Sequence, residues 1–210
     1  MNNYEYLIAC LPPLTPEWRY SGEGSFDEFI SEIRRNCSAG DNALVDFMLE
    51  GLDGDNLDTE FYRRALAHRN RFIREYFRFD LNLRNAKVNY LNAALGRPAG
   101  TDVITGLDED GEPLFDGGEF EEKEKAESVL ASDDILAREK GLDDMTWTKI
   151  DELTAFDYFD IEAVLGFIAK LHVIDRWFSL DEERGKEMLR TLVDEVRGTF
   201  GGVRYKATND

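Results

Sequence analysis

Apolar positions recur along most of this chain with the period of an α-helix. Phe26, Phe29, Ile30, Ile33 and Cys37 follow one another at three- and four-residue steps, the stripe that a helix buries on one side. Ser25 precedes the stripe and Glu28 follows three positions later, a capping box in which each side chain serves a backbone N–H left over at the helix start. That helix is expected to stop between Asn36 and Gly40. Leu44, Val45, Met48, Leu49 and Leu52 predict a second helix over 41–52, closed by Gly51 and Gly54. Between Thr59 and Leu95 there is no glycine or proline, and Phe61, Tyr62, Ala65, Leu66, Phe72, Ile73, Tyr76 and Phe77 fall near one stripe. A single helix there would be about 55 Å long. A break at Phe79-Asp80 is the alternative, with Asp80 capping a new helix. Gly96-Arg97-Pro98 ends the stretch.

The remaining segments read less uniformly. Tyr6–Leu11 is a short apolar run before Pro12-Pro13, compatible with a short strand or a buried helical turn, and the prolines force an extended exit. Residues 97–122 have no helical period and hold glycines at 100, 106, 111, 117 and 118, which predicts a long loop or linker. Residues 123–140 suit one or two short helices. Trp147, Ile150, Leu153 and Phe156 form a stripe. Phe159, Ile161, Val164, Leu165, Phe167, Ile168, Leu171, Ile174, Trp177 and Phe178 form a face so wide that its helix must be central or covered by a partner. A second capping box, Ser179 with Glu182, opens a last helix carrying Met188, Leu189, Leu192, Val193 and Val196 inward, stopped by Gly198.

The expected fold is therefore all-α: a bundle of long and short helices in two pseudo-repeated halves, with a short N-terminal strand as an option. The halves are 1–96 and 123–210, joined by 97–122, or the whole is one continuous domain. The repeat rests on one echo. FRFDLNLRNAKVNYLNA begins at Phe77 and YFDIEAVLGFIAKLHVI at Tyr158. Aligned on Phe79-Asp80 and Phe159-Asp160, Leu81 matches Ile161, Val88 matches Ile168 and Leu91 matches Leu171.

Composition narrows the partners. Hydrophobic residues make up 42 % of the 210 positions and aromatics 12 %, enough large side chains for a packed core. Acidic residues outnumber basic ones by 44 to 25, a net charge of −19. Nucleic acid and anionic membrane surfaces repel such a chain, whereas a basic protein attracts it. No run of eighteen apolar residues occurs, so no membrane span is expected. The opening has no positively charged n-region, so the expected location is the cytoplasm. Cys10 and Cys37 fit no metal or redox spacing and read as buried thiols in a reducing compartment.

No stretch of the chain offers a catalytic constellation. HExxH, CxxC, GxSxG and Walker-type patterns are absent from the sequence. His68 sits in the basic RRALAHRNR and reads as solvated, while His172 follows Leu171 and reads as a hydrogen-bonded core or interface residue. Asp53 to Glu60 is one acidic stretch. In a second, Asp108, Asp110, Glu112, Asp116 and Glu119 approach the spacing of a calcium loop, but Pro113 stands where the turn needs glycine. No catalytic, cofactor-binding or metal residue is assigned, and no cofactor is expected. A metal-dependent enzyme using loop 108–119 is the lesser alternative. Arg63, Arg64, Arg69, Arg71, Arg74, Arg78 and Arg84 form a local basic excess, read as pairing with acidic helices or as a face for an acidic partner. The partner-interface candidates are Phe159, Phe167, His172, Trp177 and Phe178 on the apolar face, and Arg71, Arg74 and Arg78 on the basic one.

Two resemblances add to this. FDLNLRNAKVNYLNA, Phe79 to Ala93, resembles the aromatic-Asp step and Asn-Leu-bearing helix of the d-type subunit of V/A-type ATPases, which lies between rotor stalk and membrane ring. The opening NNYEYLIACLPPL resembles an uncharacterised bacterial family, domain of unknown function 2764, encoded beside V-type ATPase subunits. Its members begin with a Tyr-x-Tyr-Leu segment running into prolines. The d-type subunit has three such helical units in a longer chain, and at most two are visible here. The resemblance implies a non-catalytic peripheral or central-stalk component. It would dock on stalk subunits or the proteolipid ring by helix packing, and would be cytoplasmic or held at the inner face of the plasma membrane through those partners. The alternative is a stand-alone helical adaptor for a basic protein.

Overall fold

The computed structural model describes residues 4–15, 19–20, 24–107, 111 and 114–179, with the backbone alone at 19, 20, 178 and 179. Within that range the protein is all-α apart from one two-residue ladder. The run before the prolines is a helix, α1 (Glu5–Cys10). Leu7 is its buried residue, and the preceding Tyr4 is buried with its hydroxyl donating to Asp41 on the next layer. Burial on one side only suits a helical turn better than a strand. Beyond Pro12-Pro13, β1 (Leu14–Thr15) pairs antiparallel with β2 (Arg19–Tyr20).

The capping box forms as the spacing predicts. In α2 (Phe26–Asn36) the Glu28 N–H donates to Ser25 Oγ at 3.3 Å, and the Ser25 N–H to Glu28 Oε2 at 2.8 Å. Helix α3 (Ala39–Leu52) starts earlier than its apolar stripe suggests because Ser38 caps it, accepting from the Asp41 N–H. Gly51 does not close this helix. It lies inside it, buried, where a Cβ would stand 2.2 Å from Phe77 Cζ. The glycine is a site of close approach and not a stop signal.

The long glycine-free run is two helices, α4 (Thr59–Leu66) and α5 (Arg71–Ala94). The break lies at Ala67–Asn70 and not at Phe79-Asp80. Asn70 caps α5 by accepting the Ile73 N–H at 3.1 Å, and His68 Nδ1 accepts the Asn70 N–H at 3.0 Å. The turn lets α4 fold back, so that Phe61 meets Phe77 edge-on with ring centres 4.9 Å apart. Asp80 is consequently a mid-helix residue. His68 is half-buried beside the Phe47 ring at 5.1 Å, not solvated.

Helix α5, about 36 Å long, has core on two sides. Phe72, Ile73, Phe77 and Leu81 belong to a main cluster with α3, α4 and residues of the two later helices. Phe79 and Leu83 belong to a second cluster with α6 (Lys123–Leu130) and α7 (Ile135–Thr154). This is why Phe77, Phe79, Leu81 and Leu83 are all buried although a helix spaces them on opposite faces.

The aperiodic segment after α5 lies along that helix, held by an asparagine ladder. Asn82 donates to the Gly117 carbonyl at 3.0 Å and Asn92 to the Thr101 carbonyl at 2.7 Å. Asn85 both donates to the Ile104 carbonyl (2.9 Å) and accepts the Ile104 N–H (3.1 Å), and Asn89 accepts the Gly100 N–H at 3.1 Å. Four amides on one helix face thus take up backbone groups that have no secondary structure to satisfy them.

Helix α8 (Ile161–Ser179) follows a short corner after α7. Val164, Leu165, Ile168 and Ala169 are buried in the main cluster, so this part of the wide apolar face is covered by the chain itself. The chain divides into two compact units, 1–173 and 174–210. Of the second, the described part is the end of α8. The last helix expected after Ser179 lies outside the described residues. Two burial expectations are corrected: Cys10 is exposed, because the single buried side of α1 is taken by Leu7, and Cys37, at the end of α2, is only half-buried against the main cluster. No described helix is long and apolar enough to cross a membrane.

Candidate docking site

The corner between α7 and α8 reads Ala155-Phe156-Asp157-Tyr158-Phe159-Asp160. The stripe of α7 buries Trp147, Ile150 and Leu153, but the helix ends at Thr154, so Phe156 leaves the stripe and is 89 % exposed. Tyr158 is 66 % and Phe159 48 % exposed. The backbone beneath them is tied on several sides. The Tyr4 N–H donates to the Phe159 carbonyl at 2.7 Å, and the Asp157 N–H to the Thr154 carbonyl at 3.0 Å. Arg71 Nη2 donates to the Leu153 carbonyl at 2.7 Å and to Asp157 Oδ2 at 2.9 Å. A cation on the last carbonyls of α7 complements the negative end of its dipole. Asp160 caps α8, accepting the Ala163 N–H at 3.3 Å.

Beside the corner lies a groove of about 350 Å³. Ile8, Leu11, Pro12, Pro13 and Phe167 give it apolar lining, and Thr154, Asp157 and Lys170 polar and charged lining. The double proline therefore contributes a rigid wall. Glu162, at the start of α8, accepts from Asn70 Nδ2 at 2.9 Å, and burial pushes its carboxyl above the usual range. Lys170 pairs with Asp151 and stands 4.9 Å from the centre of the Trp147 ring.

The candidate residues fall into two groups. Phe159, Phe167 and Arg71 lie at or beside the corner: Phe159 on it, Phe167 in the groove and edge-on to Phe29 at 6.3 Å, and Arg71 on Asp157. His172 is half-buried, edge-on to Phe26 at 6.2 Å. Trp177 is half-buried in the second unit, and the Phe178 side chain lies outside the described residues. Arg74 donates to Glu75 at 3.1 Å and to the His68 carbonyl, and Arg78 donates to Glu75 at 2.6 Å. Both are thus engaged within the first unit. Phe156 and Tyr158 complete the corner without having been singled out. The signal for them was the alternation of aromatic and acidic residues just where the helical period stops.

A second polar feature lies on α5. Tyr62, with no exposed surface, donates its hydroxyl to Asp80 Oδ2 at 2.6 Å, and Arg84 Nε lies 4.0 Å from the same oxygen. Burial raises the Asp80 carboxyl above its ordinary value against the pull of Tyr62 and Arg84, and raises the Tyr62 phenol as well.

The acidic stretches act locally. Asp53 accepts the Asp55 N–H, Asp58 caps α4 through the Phe61 N–H at 2.7 Å, and Glu60 pairs with Arg63. Asp116 accepts the Gly118 N–H at 2.8 Å, while Asp108, Asp110, Glu112 and Pro113 lie outside the described residues. Among the described residues no three His, Cys, Asp or Glu side chains are grouped to hold a metal ion.

The model of a family described as "Protein of unknown function (DUF2764)" matches residues 52–199. No curated protein and no solved structure matches the chain.

Proposed function

The chain belongs to the DUF2764 family of proteins of unknown function, and from that premise we propose that it is a non-catalytic peripheral or central-stalk component of a bacterial V-type ATPase. It docks on stalk subunits or the proteolipid ring by packing, and ATP hydrolysis belongs to other subunits. The resemblance of NNYEYLIACLPPL to a family encoded beside those subunits supports the reading. So does the part that segment plays in the fold, since Tyr4 and Pro12-Pro13 brace and wall the exposed corner. The observation that carries it is the corner itself: three exposed aromatics on a backbone held by hydrogen bonds, beside a groove of mixed apolar and charged lining, which suits a protein-binding patch. Its place would be the cytoplasmic side, at the inner face of the plasma membrane through its partners.

A tagged copy, purified from its own cells under mild conditions, is expected to bring down stalk or ring subunits of the ATPase. Recovery of the chain without any of them sinks the proposal. The net charge of −19 favours a second reading, a stand-alone adaptor for a basic protein. It predicts capture of a basic partner in the absence of the ATPase.

A further inference from the structure

We infer that the α7–α8 corner is the docking surface, and that its partner is a basic, amphipathic segment of another protein. The inference rests on reading the chain as a docking protein and names where and with what chemistry it docks. Phe156, Tyr158 and Phe159 expose three rings within four residues, next to a partly apolar groove whose lining includes Thr154 and Asp157 of the same corner. Covering such rings releases water from a large apolar area. The backbone under them is already held by Tyr4 and Arg71, so little order remains to be imposed on binding.

Charge selects the occupant. Around the corner five acids, Asp151, Glu152, Asp157, Asp160 and Glu162, outnumber the three cations Arg71, Lys149 and Lys170, even with Glu152 paired to Lys149 and Glu162 accepting from Asn70. The neighbouring cations are engaged, Arg71 on Asp157 and Lys170 on Asp151. Aromatic faces bordered by carboxylates suit lysine or arginine side chains, which stack on the rings while meeting the acids. The fold already uses that contact internally: the Arg64 guanidinium lies 5.3 Å from the Phe47 ring centre and 5.5 Å from that of Phe61. The apolar face of the segment enters the groove and its basic face meets the rim. A second copy of this chain would bring −19 against −19, and an anionic bilayer is repelled for the same reason.

The test uses the full chain and two designed helical peptides, one of leucine and lysine and one of leucine and glutamate. The lysine peptide is expected to bind saturably and to shield Phe156, Tyr158 and Phe159 from hydroxyl-radical oxidation; the glutamate peptide does neither. Replacing the three aromatics with alanine leaves the net charge at its natural value and is expected to weaken binding by about tenfold or more, roughly 1.4 kcal/mol. Asp160→Asn keeps a capping side chain and loses one charge, and should weaken binding by about threefold at low salt and not at high salt.

Equal affinity in the triple variant overturns the inference, since charge alone then explains binding. So do rings already shielded in the free chain, whether by its own residues or by a second copy, and shielding by vesicles of phosphatidylglycerol and phosphatidylethanolamine. The two proposals fail separately. Peptide binding at the corner without co-purifying ATPase removes only the ATPase reading. ATPase that co-purifies undiminished with the triple variant removes only the corner.

Discussion

At Phe79-Asp80 the chain is in the middle of α5, with core on both sides of the helix; at Phe159-Asp160 it is stepping into α8 with solvent on one side. The first pair buries its phenylalanine in the cluster formed with α6 and α7 and its aspartate accepts a phenol from α4. The second pair exposes half of its phenylalanine and spends its aspartate on the first turn of a helix. The same two residue types therefore serve tertiary packing in one place and local capping plus an outward surface in the other. What separates them is where the helix boundary falls. Asn70 takes the cap for α5, which leaves Asp80 to find a partner elsewhere, whereas Asp160 stands directly before α8 and bonds its first turn.

The largest expected contrast lies in the phenylalanines. Phe79→Ala empties a site that is 3 % exposed, between α5, α6 and α7, and should cost about 3–5 kcal/mol in urea unfolding. Phe159→Ala should cost no more than about 1 kcal/mol. Equal losses would erase the distinction between a packed and a presented ring. The aspartates come next. Asp80→Ala strands the buried Tyr62 hydroxyl without its acceptor, at about 1–3 kcal/mol. Asp160→Ala removes one cap hydrogen bond, at about 1 kcal/mol or less. Asp160→Asn should restore nearly all of that loss, while Tyr62→Phe together with Asp80→Ala should cost less than the sum of the two single changes.

Much of this is legible where the partners are neighbours in sequence. Ser25 with Glu28 gives a helix start from spacing alone, and the stripes of α2, α7 and α8 give the all-α class. The failures share a physical origin. Asp80 reads as a cap because the Phe-Asp step looks like a boundary, but its partner Tyr62 lies a whole helix upstream. Gly51 resembles a stop because glycine is a poor helix former, and only the approach of Phe77 explains it. Asn82, Asn85, Asn89 and Asn92 stand at helical spacing in plain sight, yet the backbone groups they bind lie in a segment with no period to read. Phe156 continues a stripe arithmetically past the residue where the helix stops. Phe167 shares a groove with Pro12 and Pro13, and Arg71 holds Asp157 on its edge, long-range contacts that no local pattern announces.

The smallest and sharpest test uses pH on Asp80. Its carboxyl titrates above the ordinary aspartate value of about 3.9 in the folded protein, because burial outweighs the Tyr62 hydrogen bond and the Arg84 charge. A raised folded-state value means that protonation favours the native state. The contribution is complete below the unfolded-state value and is lost as pH rises through the folded one. Tyr62, raised by the same burial, follows that rule only above about pH 10, outside the window. Glu162 is also raised and Glu60 lowered, so the wild-type slope mixes several carboxyls, and a subtraction is needed. Asp80→Asn retains an acceptor for the Tyr62 hydroxyl but does not titrate. The stability of that variant relative to wild type should therefore increase as pH rises from about 4 toward neutrality. A difference that is flat, or that falls with pH, would mean that Asp80 enters the fold as a comfortably ionised surface group, and the contrast with Asp160 would shrink to position alone.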